Sequence, residues 1–172
     1  MAYVIAQDPL NAFWRARRAW ILLCGNRLDE AIAEARKALE FDETTYQARM
    51  MIALSLTFQG RLAEARDAAE EVYRTASYDA LNTGLLAGLL VCGGERDRAE
   101  QVLATMSGRV PIGQTMFHLV CGEIDAAMDW YQQDIELRRP NAPMIAFAGF
   151  LEPLRASPRW PHVARMMNLP GH

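Results

Sequence analysis

The sequence predicts an all-α fold built from helical hairpins, and three observations support this prediction. Apolar residues recur with the 3.6-residue period of a helix along most of the chain. Short motifs running from Gly to Ala separate these apolar stretches at regular intervals. No segment alternates apolar and polar residues between hairpin turns, so no strand is predicted. The chain has 172 residues, 51% of them hydrophobic, which is enough to bury a core without metals or disulfides.

The Gly-to-Ala motif occurs four times. Its final residues are Ala31, Ala65, Ala99 and Ala127, of which the first three are spaced by 34 residues and the last follows after 28. Each motif lies between two stretches of helical period. Gly ends the first helix in the left-handed conformation at no steric cost, and the small Ala lets the second helix approach closely. The repeated unit is therefore an antiparallel helical hairpin.

Capping residues place the helices in order. Asp8-Pro9 predicts the start of the first helix, the segment 42–45 predicts a helix beginning near Tyr46, and Pro111 and Ser157-Pro158 predict later starts. The repeat block is expected over residues 1–139, with units near 12–45, 46–79, 80–107 and 108–139. Residues 140–172 are expected to form a C-terminal cap, because the short fourth unit carries Trp130 and Tyr131 where small residues would stack.

Small residues and a Leu recur at fixed positions of these units. The positions are Ala19, Leu28, Ala31 and Ala38 in the first unit, Ala53, Gly60, Leu62 and Ala65 in the second, and Ala87, Gly94 and Ala99 in the third. This pattern resembles the tetratricopeptide repeat family, whose unit has 34 residues. The first unit has Asn26 where Gly is usual, and Asn tolerates the left-handed turn. The resemblance implies a right-handed α-α superhelix of hairpins, closed here by the C-terminal helical cap.

The segment 151–170 resembles the end of certain bacterial proteins. In those proteins a tetratricopeptide block follows a winged-helix DNA-binding domain, a kinase or an adenylate/guanylate cyclase. Residues 2–7 resemble the end of a second helix, so the chain is expected to be the C-terminal piece of a longer protein. A stand-alone short repeat protein is the alternative.

In the family, the concave face of the superhelix usually holds peptides and is lined by the first helix of each unit. The positions that the resemblance assigns to this groove are Phe13, Ala16, Arg17, Trp20, Gln47, Met50, Met51, Leu54, Thr57, Leu81, Gly84, Leu85, Gly88, Val91, Ile112, Met116 and Leu119. Of these, the predicted binding residues are Phe13, Trp20, Met50, Leu54, Leu81, Gly84, Gly88, Val91 and Met116. The groove is apolar, which favours a protein or peptide partner with an apolar segment. It lacks the Lys and Asn of carboxylate-clamp members, which disfavours a chaperone-tail receptor.

Two alternatives compete with an open groove. In the first alternative, the segment 143–167 folds back and fills the groove, so that the same Met and Leu residues are ordinary core. Gly84 and Gly88 clear space for close packing whether the groove is open or filled. In the second, the chain is a self-associating structural module, and its apolar first or last face pairs two copies into a homodimer. The main hypothesis is the regulatory or assembly arm of a bacterial signalling protein, in the cytoplasm.

Catalysis, metals and cofactors are not predicted. His118, His162 and His172 form no metal-ligand pattern. The carboxylates of residues 64–71 alternate with Arg residues at helical spacing, as on a solvated helix face. Basic residues are scattered among 21 acidic residues, which disfavours binding to nucleic acid or membranes. The three cysteines, Cys24, Cys92 and Cys121, are expected to be reduced thiols.

Overall fold

The computed structural model describes residue 8, residues 11–106 and residues 110–169, and every regular element within them is helical. The elements are α1 (Ala12–Cys24), α2 (Leu28–Phe41), α3 (Tyr46–Phe58), α4 (Leu62–Thr75), α5 (Ala80–Cys92), α6 (Arg96–Ala104), α7 (Pro111–Val120), α8 (Ile124–Glu136), α9 (Asn141–Ile145), a 3₁₀ turn (Gly149–Leu151), α10 (Glu152–Arg155) and α11 (Trp160–Met166). The predicted all-α class is confirmed. Helices α1 to α8 form four successive hairpins, and the shorter elements follow them.

The four hairpin turns share one backbone conformation. The left-handed residue is Gly60, Gly94 or Gly122 in three turns, with φ of 77°, 83° and 75°, and Asn26 in the first, with φ of 57°. In each turn the next amide reaches back to the end of the preceding helix, as when the Arg61 amide donates to the Leu56 carbonyl at 2.9 Å. These bonds satisfy carbonyl groups that a helix end leaves unpaired. The predicted turns, including the use of Asn in the first, are confirmed.

Helix α1 begins three residues later than Asp8-Pro9 predicted. The N-cap of α1 is Asn11, whose side chain accepts a hydrogen bond from the Phe13 amide at 3.1 Å. Asp8 instead accepts from the Asn11 side chain at 2.8 Å. Asn and Asp are equally good N-caps, and the helix starts after the residue whose side chain accepts a hydrogen bond from a free amide of the first turn. Pro9 lies outside the described residues. The predicted start at Pro111 is confirmed.

Small residues set the distance between helices. The alanines that recur where two helices pack together are fully buried, and they include Ala19, Ala53 and Ala87. Helices α5 and α7 approach each other very closely, since a Cβ built on Gly84 would lie 1.9 Å from the Gly113 carbonyl oxygen. One turn further along α5, a Cβ on Gly88 would lie 2.7 Å from the Val120 Cβ. Backbone therefore meets backbone along this pair of helices.

The C-terminal segment returns to the first two hairpins. Phe150, which is 3% exposed, stacks on Phe58 at 5.6 Å between ring centroids and meets Trp20 edge-on at 6.0 Å. Its neighbour Gly149 lies against the first turn, where an added Cβ would be 3.0 Å from the Asn26 Cβ. The 3₁₀ turn thus packs on α1.

The rest of the cap is held against α8. Tyr131 of α8 is buried, stacks on Trp160 at 6.2 Å and donates its hydroxyl to the Ala142 carbonyl at 2.7 Å. Arg155 donates to the carbonyls of Ala146 and Ala148 at 2.9 and 2.7 Å. These bonds satisfy backbone oxygens where the chain turns after α9. The aromatic residues of the fourth hairpin therefore pack against the cap.

Helix α8 also buries a carboxylate. Neither carboxylate oxygen of Asp134 has a hydrogen-bond donor among the described residues. The Arg139 Nε lies 3.6 Å from its Oδ1, but the Arg139 side chain is largely in water. Burial raises the pKa of Asp134, and the charge of Arg139 opposes this only in part. The ionised side chain therefore destabilises the folded state.

Asp134→Asn is expected to raise the stability of the protein at pH 7. The pKa of Asp134 is higher in the folded chain than in the unfolded chain, so the destabilisation is absent below the unfolded value, about 3.9. It grows as the pH rises and is fully present above the folded value. The expected gain at pH 7 is about 1 kcal/mol, and it disappears as the pH falls towards 4. Urea unfolding of both chains from neutral to acid pH measures it.

The control is Glu136→Gln, an exposed carboxylate on the same helix, which should change stability little at any pH. A gain for Asp134→Asn that stays constant down to pH 4 would show that the carboxylate charge is not the cause.

Candidate functional site

A cleft of about 430 Å³ opens where the first helices of the four hairpins begin. Residues of α1 and α3 form one side, and the starts of α5 and α7 form the other. The chain after α8 closes one end. The lining residues are Phe13, Ala16, Arg17, Trp20, Gln47, Met50, Met51, Tyr78, Asp79, Ala80, Leu81, Val110, Ile112, Arg139 and Ile145.

The cleft is mostly apolar and partly open to solvent. Phe13, on the first turn of α1, is 54% exposed and packs edge-on against Trp14 at 5.0 Å. Tyr78, at the opposite rim, is exposed and lies edge-on to Tyr46 at 6.0 Å. Two large aromatic rings thus stand in water beside an apolar cavity. Aromatic side chains in this situation contribute strongly to binding when a partner covers them.

Three charged groups lie at the cleft. Asp79 is the N-cap of α5, and its carboxylate accepts a hydrogen bond from the Asn82 amide at 3.0 Å. Burial raises the pKa of Asp79, and the bonds from the Asn82 and Leu81 amides oppose this shift. Arg17 is exposed and forms no hydrogen bond or ion pair with any other described residue. Arg139 approaches only Asp134, through its Nε. Two guanidinium groups, of Arg17 and Arg139, therefore bring N–H donors to the cleft that form no hydrogen bond with a described residue.

The structure brings four of the nine predicted binding residues together. Phe13, Trp20, Met50 and Leu81 all line the cleft. The other five do not line it. Leu54 and Met116 are buried, Gly84 and Gly88 lie in the contact between α5 and α7, and Val91 is half-buried near the far end of α5. Along α3, α5 and α7 the cleft is thus lined from the N-terminal half of each helix, whereas along α1 it extends as far as Trp20.

The sequence did not predict several of the residues that line the cleft. Tyr78 and Asp79 precede α5, and the only local indication of their place is that Asp is a good N-cap. Arg139 and Ile145 come from the chain that leads into the cap. Their position depends on the return of that chain over α1, which Phe150 anchors beside Trp20. The returning segment covers part of the groove, and the part that stays uncovered is the cleft.

Paired helices, left-handed turns and a cleft along the first helices define a tetratricopeptide-like repeat fold. The chain is similar in structure to YrrB, whose crystal structure is described as that of a TPR protein with an unusual peptide-binding site. The match has a TM-score of 0.59 and 15% sequence identity, and covers 97% of this chain and 96% of that one. No protein-family model and no curated protein matches the sequence.

Among the described residues, no three side chains of His, Cys, Asp or Glu are grouped so that they could hold a metal ion. His118 is half-buried, and its Nδ1 lies 2.6 Å from a carboxylate oxygen of Glu123. Within the same residues no helix is long and apolar enough to cross a membrane.

Proposed function

We propose that the cleft binds an apolar peptide segment of a partner protein, and that the cap from residue 140 onward helps to form it. The observation that carries this proposal is the cavity of about 430 Å³, whose rim exposes Phe13 and Tyr78. Covering such rings removes apolar surface from water, worth about 25 cal/mol per Å². Met50 and Met51 also line the cleft; both are largely buried, and Met side chains repack readily when a neighbour changes. YrrB offers a parallel, since its own description includes a peptide-binding site.

The charges at the rim define the segment more closely. Arg17 has no partner among the described residues, and the terminal nitrogens of Arg139 point to no acceptor there. Asp79 is already bonded to the start of α5. The cleft therefore suits a segment in which a carboxylate lies next to apolar side chains, because an arginine binds a carboxylate through charge-assisted hydrogen bonds.

Phe13→Asp is expected to weaken peptide binding at least tenfold without unfolding the chain. A random peptide library selected on the folded wild-type chain supplies the ligands, and fluorescence anisotropy measures their affinities. Loss of an aromatic anchor costs about 2 kcal/mol or more, and each 1.4 kcal/mol is a factor of ten. The matched control is Ile21→Asp, because Ile21 is 51% exposed on the same helix but does not line the cleft.

The outcomes separate the site from the rest of the surface. Equal affinity for the Phe13→Asp and Ile21→Asp chains would place binding outside the cleft. A library that yields no specific peptide would contradict the proposed function as a whole. Helical circular dichroism should be the same for both variants and the wild type, since both side chains are exposed.

The biological setting is a further proposal. We infer from the resemblance of segment 151–170 that the chain serves as the regulatory or assembly arm of a bacterial cytoplasmic signalling protein, either a winged-helix transcription regulator or a cyclase. An immunoblot of the source cells tests this. A band well above the 19.3 kDa of the chain is the expected result. A band at that mass would contradict it.

A homodimer is the second candidate. The apolar residues exposed on α1, Phe13 and Ile21, favour it, because a helix with such a face can pair with a copy of itself. Sedimentation should then show a mass that rises with concentration and falls when Trp14, the neighbour of Phe13, is replaced by Asp. A monomer mass at every concentration would exclude this candidate.

A further inference from the structure

Two cysteines lie at the same end of the closely packed helices α5 and α7. Cys92 is the last residue of α5, and Cys121 directly follows α7. The Cys92 Sγ lies 3.7 Å from the carbonyl oxygen of Val120, the residue that directly precedes Cys121 in the sequence. One turn earlier, Gly88 brings the α5 backbone into contact with Val120. The glycine contact therefore holds the ends of both helices, and both thiols, side by side.

The surroundings of the two thiols differ. Cys92 is exposed, whereas Cys121 is half-buried. The pKa of Cys121 is raised to about 11, mainly by burial and to a lesser extent by negative charge on Cys92 and Glu123, while Arg96 opposes the shift. Cys24, at the end of α1, is half-buried and has no thiol neighbour among the described residues.

We propose that Cys92 and Cys121 form an intramolecular disulfide under oxidising conditions, which makes this pair a site of reversible oxidative modification. The exposed Cys92 is the thiol that an oxidant reaches first. Cys121 lies next to it and completes the bond. The crosslink joins α5 to α7, the helices whose first turns carry Leu81 and Ile112 of the cleft. Oxidation therefore fixes the spacing of two walls of the binding site.

The chemistry balances with a low-molecular-weight disulfide as oxidant. The Cys92 thiolate attacks one sulfur of the oxidant, forms a mixed disulfide and releases one thiol. The Cys121 thiolate then attacks the Cys92 Sγ and releases the second thiol. Two protons and two electrons pass from the protein to the oxidant, which leaves as two thiols. A low-molecular-weight thiol reverses both steps.

The test is to incubate the folded full chain with oxidised glutathione and analyse it by mass spectrometry. The expected product is lighter than the reduced chain by about 2 Da, the mass of two hydrogens. A tryptic digest without reductant should join peptide 75–96 to peptide 110–138. Cys24 should remain available for alkylation. The midpoint of urea unfolding should rise on oxidation, because the crosslink restricts the unfolded chain.

Variants of the single cysteines complete the test. Cys24→Ser should form the bond as the wild type does, while Cys92→Ser and Cys121→Ser should show no loss of two hydrogens and no rise in the urea midpoint. The same oxidation in denaturing urea should scramble the pairing among the three cysteines. Glutathione adducts without the internal bond, a bond that includes Cys24, or equal pairing in folded and unfolded chains would each overturn the proposal.

Discussion

Gly84→Ala is expected to lower the free energy of unfolding by about 3 kcal/mol or more. The added Cβ would lie 1.9 Å from the Gly113 carbonyl oxygen and 2.7 Å from its carbonyl carbon. These are backbone atoms, so no side-chain rotation relieves the clash, and α5 must move away from α7. Ala is a better helix former than Gly by about 1 kcal/mol. The cost of separating the helices must exceed this gain, and the burial around Leu85 and Met116 indicates that it does.

The matched control for this prediction is Gly93→Ala, at the end of the same helix. A Cβ at Gly93 would meet only ordinary contacts of 3.5 Å or more, and its φ of −82° suits any residue. Its urea midpoint should therefore stay close to that of the wild type, while that of Gly84→Ala falls sharply. Equal midpoints for the two variants would show that α5 and α7 separate at little cost. The circular dichroism signal at 222 nm follows both transitions, as is usual for helical proteins.

Phe150→Ala is expected to release the returning segment from α1, at a cost of about 3 to 5 kcal/mol in local stability. Phe150 is buried between Phe58 and Trp20, and removing its ring leaves a cavity beside both of them. The cap should remain folded on α8, because Tyr131 and Trp160 hold it there independently. Hydrogen exchange should therefore accelerate over residues 142–151 much more than in α11. Peptide binding should change as well, since Ile145 lines the cleft.

Phe147→Ala provides the control within the same segment. Phe147 is 59% exposed, so its removal should change stability by less than about 0.5 kcal/mol. Rapid exchange in both variants would mean that either phenylalanine of the segment is needed to hold it, and that the contact of Phe150 with Trp20 is not the specific cause. Unchanged exchange in Phe150→Ala would show that the contacts of Gly149 with Asn26 suffice.

The hairpins were predictable because their determinants are local. A helix face repeats every 3.6 residues, and a left-handed turn needs Gly or Asn at one position, so Asn26 and Gly60 mark turns in the sequence itself. The caps were less certain, because Asp8 and Asn11 compete for the same role within three residues. Pro111 left no such choice, since its ring suits the first turn of a helix.

The cleft was only partly predictable, because its shape depends on contacts between distant residues. The resemblance assigned Gly84 and Gly88 to a groove, and the sequence shows that both leave room for a close neighbour. That the neighbour is α7 depends on Gly113, whose position opposite Gly84 no local pattern reveals. Arg139 likewise reaches the cleft only because the chain after α8 turns back. The lining side chains of α1 and α3 were found because the resemblance assigns the first helix of each hairpin to the groove.

The contact of Phe150 with Trp20 has a consequence for how this array can evolve and fold. In an open solenoid each repeat touches only its neighbours, so units are gained or lost without harm to the rest. Here the segment after the fourth hairpin contacts the first two hairpins, and a hairpin inserted between them would carry Phe150 away from Trp20. The number of hairpins between these contacts is therefore constrained. The same contact couples residues far apart in sequence, which raises the contact order and makes docking of this segment a late, slow step of folding.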